Sequence, residues 1–219
     1  MGIGLAARWR AVGLVLVFAC GARGAVERGV ENTTPEDAWL AGLAMPVLQE
    51  VADAKTDDGD PVPLRAPSDP RDAADARAQD AASALPPGVV RTAPADENAN
   101  CHGWVFANGL YWVGGAAIPE ILADNDYSLV SEPRPGDVAV YADTLGKVTH
   151  TGLVRTGAPV TVESKWGWRG VYLHPVAGSP YGERVSYYRT ARDGHTLAGL
   201  PGATPRPSPR TAARMAPWG

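Results

Sequence analysis

The stretch PRPGDVAVYADTLGKVTHTGLVRT, residues 133–156, alternates apolar and polar side chains with period two on either side of the turn DTLG. Such a pattern fits two antiparallel strands and little else, because only a strand sends successive side chains to opposite faces. It places Val148, His150, Gly152 and Val154 on one face, where the missing Gly152 side chain leaves room for a helix or substrate to approach. PVTVESKW continues as a third strand, GVYLH as a fourth and RVSYYRT as a fifth. Ahead of them CHGWVFANGLYWV reads as a helix with Asn100 or Asn98 as its cap and Cys101 in its first turn. The expected fold class is therefore α+β: one helix carrying the cysteine, packed on an antiparallel sheet of about five strands.

The flanks differ. Residues 1–25 order two arginines (Arg8, Arg10), an apolar run from Ala11 to Ala19 and small residues, which is a secretory signal. The run is shorter than the roughly 20 residues a membrane anchor needs. Val17-Phe18-Ala19-Cys20 also resembles a lipobox, so two outcomes stand: acylation at Cys20, or its loss with the signal. Either gives a secreted or cell-envelope protein, touching membrane only through the signal or a lipid on Cys20.

Residues 26–54 carry Trp39, Leu40, Leu43, Val47, Leu48 and Val51 at helical spacing after Thr34-Pro35-Glu36-Asp37, an N-terminal amphipathic helix or pair broken at Pro46. Residues 55–88, rich in Asp, Pro, Ala and Arg, read as a flexible linker with weak helix in DAADARAQDAASAL. Residues 89–192 form the expected folded domain, opening on a short strand in GVVRTA. Every tyrosine of the chain falls there, with Trp104, Trp112, Trp166 and Trp168. Residues 193–219 read as a disordered Pro/Arg-rich tail. A net charge of −4 with no basic block argues against a nucleic-acid partner, and a monomer is expected.

Whether or not Cys20 survives, Cys101 is the thiol left for chemistry downstream, so no internal disulfide is expected. A helix start or a neighbouring imidazolium lowers a thiol's pKa from about 8.5; the plain alternative is a small buried hydrophobe. Of the histidines, His102 diverges from Cys101 around a helix and His195 lies in the tail, whereas His150 is fixed mid-strand, where a base can be held rigidly. Glu163 interrupts the next strand, placed to hold the His150 ring, with an ion pair to Lys165 or an arginine as its plain alternative. Ser164 points to the other face. Trp166 and Trp168, in WGWRG, and Trp104 are candidates to line a substrate groove, against ordinary core packing. Lys165, Arg169 and His174 are candidates to receive a substrate carboxylate. A zinc site from Cys101, His150 and Glu163 or His174 finds no CxxC or HExxH spacing, so neither metal nor cofactor is expected.

The order of parts, a cysteine opening a helix, PGDVAVY, THTGLV, then VES, resembles the NlpC/P60 and CHAP families of papain-like cysteine hydrolases over about residues 89–192. The resemblance implies a papain-like core with Cys101 as nucleophile, His150 as base and Glu163 as the orienting residue, the last more CHAP-like. It implies an exported cysteine peptidase or amidase cutting amide bonds of peptidoglycan stem peptides through an acyl-enzyme. The alternatives are an acyltransferase using the same triad, or a non-catalytic wall- or peptide-binding module on the same scaffold. The chain departs from the family at the nucleophile, Asn100-Cys101-His102-Gly103-Trp104 in place of Asp-Cys-Ser-Gly. Asn98 or Asn100 with the Cys101 N–H are the candidates to complete an oxyanion hole.

Overall fold

The alternating run folds as the central hairpin of the protein. In a computed structural model, which describes residues 46–201 apart from 177, 178 and 183, strands β6 (Val138–Ala142) and β7 (Val148–Gly157) pair antiparallel, with Leu153 opposite Val138 and His150 opposite Tyr141. The three later strands form as expected: β8 (Val160–Lys165), β9 (Val171–Pro175) and β10 (Val185–Arg189). With β3 (Val90–Ala93) and β5 (Ser128–Val130) they make a seven-stranded sheet in the order β3-β9-β8-β7-β6-β10-β5. The fold is α+β with few helices and antiparallel sheets, and the sheet is wider than the five strands expected because a short strand joins each edge. The Asp of Pro-Gly-Asp clamps this arrangement: Asp137 accepts from the Arg134 amide (2.7 Å) and from Arg189 Nε on β10 (2.8 Å).

Among the described residues three α-helices accompany the sheet. Helix α1 (Ala73–Ala82) is the weak helix of the Asp/Ala segment, capped by Asp72, whose carboxylate accepts from the amides of Ala74 (2.7 Å) and Asp75 (3.1 Å). Helix α2 (Cys101–Phe106) is half the length expected. It stops where Asn108 and Gly109 turn left-handed (φ 53° and 71°), and Trp112–Val113 leaves as strand β4. Helix α3 (Ile118–Asp124) begins with Pro119 in its first turn.

The segments expected as helix and linker are partly sheet. Leu48–Lys55 is strand β1, not the end of an amphipathic helix, and Pro61–Pro67 is strand β2; with β4 they form a second sheet in the order β1-β2-β4. Residues 26–45 of the expected helix, and the signal segment, lie outside the described residues. In β2 the period of two survives between prolines: Val62 and Leu64 are buried while Pro61 and Pro63 face outward. They join one core with Val105 and Phe106 of α2, Ile118, Ile121 and Leu122 of α3, and Val138 and Val140 of β6. Leu197 and Leu200, from the expected disordered tail, complete that core. The tail's beginning is tied down as well, the Leu197 amide donating to Phe106 O (2.8 Å) and the His195 Nδ1 accepting from Tyr127 OH (2.7 Å). Residues 202–219 lie outside the described residues. Among the described residues no helix is long and apolar enough to cross a membrane.

Candidate functional site

Cys101 opens α2 as expected, and Asn100 is the reason the helix starts there. The Asn100 Oδ1 accepts from the Gly103 amide (2.9 Å), capping the first turn, and from the Val113 amide (3.1 Å), while its Nδ2 donates to Val113 O (2.8 Å). Both ends of the amide thereby tie α2 to β4. One of its two Nδ2 hydrogens and its oxygen are spent inside the fold, and Asn98 is an exposed residue whose amide donates to Asp96 Oδ1 (2.9 Å). Gly103 is required by the same junction: a Cβ there would lie 1.6 Å from the Tyr111 carbonyl oxygen.

Helix α2 packs across β7 and β8, so strand alternation decides which of their side chains it meets. Val138, Val140 and Leu153 belong to the core shared with α2, and Thr151, two residues from Leu153, is on their side. Its Oγ1 lies 3.0 Å from His102 Nδ1. The backbone amides of Thr151, His102 and Cys101 favour negative charge on the sulfur, and so does the nearby Lys165 ammonium. Burial outweighs all of them: Cys101 is 6% exposed, and its thiol is pushed up to about 11. Burial likewise carries the His102 imidazole down to about 4, so it is neutral.

His150, one residue before Thr151, projects from the opposite face. Its ring stacks on Tyr181, centroids 3.6 Å apart and planes within 6°, and lies 5.5 Å from the Tyr141 ring. It is fully buried, neither ring nitrogen has a hydrogen-bond partner among the described residues, and burial, with His174 and His102 nearby, holds its pKa well below the ordinary value. The Gly152 site, expected to admit a helix or substrate, is filled from β8: a Cβ there would meet Val162 Cγ1 at 2.6 Å and Ser164 Cβ at 2.8 Å. Glu163, the third expected member, is bound by Arg155, whose Nε donates to Oε2 at 2.7 Å. The structure thus leaves Cys101, His150 and Glu163 apart, with sulfur and imidazole on opposite faces of β7 and the carboxylate engaged elsewhere.

The other candidates are interior groups. Trp166 is fully buried and its Nε1 donates to Ser164 Oγ (3.1 Å), which also bonds His174 Nε2 (2.9 Å). Trp168 is buried too, with the Arg71 guanidinium 4.4 Å above its ring. Neither presents a face for a sugar, and Trp104 is half-buried against the core shared with α2. Lys165, Arg169 and His174 are buried, not surface cations. The Lys165 Nζ donates to Asp96 O and Arg169 O, both at 2.7 Å. Lys165 and Thr151 are the neighbours of the sulfur that sequence reading missed; Lys165 shares a strand face with Glu163, and that spacing was the available signal. Among the described residues, Asp60, Glu120 and Asp124 hold ligand atoms within 4.8 Å of one another, and none of Cys101, His150, Glu163 or His174 belongs to that group.

Fold and site together define an α+β protein with a buried, helix-opening thiol packed on a seven-stranded antiparallel sheet. No known protein family, curated protein or solved structure matches the chain.

Proposed function

We propose that this chain is an exported, non-catalytic peptide- or wall-binding module, built on the scaffold that the NlpC/P60 and CHAP hydrolases use. The papain-like assignment is part of the proposal. It is supported by a cysteine-opening helix lying across the strands that carry His150 and Glu163. The observation that carries the non-catalytic reading is that His150 and the thiol lie on opposite faces of β7. A cysteine nucleophile needs a base within hydrogen-bond reach, itself oriented by a third group; here the sulfur is protonated and buried, and both nitrogens of His150 are without partners among the described residues.

Co-sedimentation with purified peptidoglycan tests it, with mass spectrometry of the supernatant. The expected result is retention of the protein with no fragments released, unchanged in Cys101→Ala. Release of stem-peptide fragments that stops in Cys101→Ala would overturn it.

One feature favours a second reading, a hydrolase or acyltransferase working through Cys101: three backbone amides and the Lys165 ammonium all favour a thiolate. Under that reading, incubation with an acyl donor leaves an acyl group on Cys101, detectable by intact mass, and Lys165→Met abolishes it.

A further inference from the structure

His150 is a chemical anomaly that the proposed function does not use. A neutral imidazole carries one N–H donor and one acceptor nitrogen, and here both are buried without a partner among the described residues. Leaving buried polar groups unsatisfied is costly, so a strand position that tolerates it is under tension with its surroundings. What covers the ring is aromatic. Tyr181, from the turn Ser179–Gly182, stacks flat on it, Tyr141 of β6 lies at its side, and Trp166 meets Tyr181 edge-on at 6.3 Å. Among the described residues, the titratable groups facing the ring are Tyr141, His174 of β9 and Tyr181, with His102 of α2 across the strand. None of these is a carboxylate that would stabilise an imidazolium.

We infer that His150 and the Tyr181 ring stacked on it form an acid-sensitive latch, closed while the imidazole is neutral and released when it takes a proton from solvent. Among the described residues no carboxylate faces this aromatic stack to pair with an imidazolium, and moving Tyr181 aside admits water to the ring. His150 resists protonation in the closed state, so the closed state is fully favoured above the ordinary histidine pKa and loses ground as pH falls below it. If the open-state ring titrates near 6.5, the open population rises about 10-fold by pH 5.5 and about 100-fold by pH 4.5.

Amide hydrogen exchange by NMR on the full chain reads this. The Tyr181 and Gly182 amides are held within the turn, donating to Ser179 Oγ (3.1 Å) and Ser179 O (3.4 Å). Corrected for intrinsic rates, their protection is expected to fall about 100-fold between pH 7.5 and 4.5. In His150→Phe, which keeps a ring to stack but cannot take a proton, protection stays flat. Protection that changes less than about 3-fold in the native chain, or a slope that survives in His150→Phe, overturns the latch. Should that variant not fold, the native His150 ring is titrated by NMR: protonation must coincide with displacement of the Tyr181 ring signals, and a ring that titrates while those signals stay fixed overturns it equally.

Discussion

The Cys101 thiol should be slow, and the structure says by how much. Burial pushes its pKa to about 11, so at pH 7.5 about 0.03% of it is thiolate, against about 9% for an ordinary thiol of pKa about 8.5. That is a deficit of about 300-fold. A more basic thiolate is also a better nucleophile, and a Brønsted slope of about 0.4–0.5 restores about 13-fold. Alkylation by a small uncharged reagent should therefore run about 20-fold slower than a free cysteine before any steric protection, and the low exposure of the sulfur lowers it further. Peptide-resolved mass spectrometry follows Cys101 separately from Cys20. The rate should still be climbing at pH 9.5, and His150→Ala should leave it within about 2-fold. Labelling faster than free cysteine, with a plateau below pH 8 and collapse in His150→Ala, would refute the reasoning.

Four further outcomes follow from the packing. Asn100→Ala removes the α2 cap and the ties to Val113 together; urea unfolding should show a loss of about 1–2 kcal/mol or more, and a loss under about 0.5 would mean the junction is not structural. Leu197→Ala, in a core the tail completes, should cost about 2–5 kcal/mol in the same assay, whereas no change would show the tail to be undocked. A double-mutant cycle on Arg155 and Glu163, a partly exposed ion pair, should give a coupling under about 1 kcal/mol. Glu163→Gln should leave the His150 ring signals unmoved in NMR; a shift of them would restore Glu163 as its orienting partner.

Much of the sheet was legible because alternation is a local signal: β6 to β10 each read as strands from their own residues. The site was less so, for a physical reason visible at His150. Period two reports which residues share a face, and His150, Gly152 and Val154 do share one; it does not report which face meets the helix. That choice went to Val138, Val140 and Leu153, the set packed with Phe106 and Ile121. A register shift beside Tyr141 then put Val148 on the helix side, against the expected grouping. Gly152 did mark a close approach, by the β8 neighbours and not by a helix. Strands β1 and β2 were hidden by composition. QEVADAK has few apolar residues, and the prolines of PVPLRAP masked an alternation that Val62 and Leu64 carry at depth. The tail, proline- and arginine-rich overall, gave no weight to the two leucines that dock its beginning.

Sulfur and imidazole on opposite sides of one strand is the claim on which the rest depends, and an NMR titration of the His150 ring in the native chain and in Cys101→Ala tests it most directly. The account predicts a ring that stays neutral to well below pH 6.5 and titrates identically in both. A ring that holds its proton above pH 6.5 in the native chain and loses that affinity in Cys101→Ala would reveal a thiolate–imidazolium pair and contradict it.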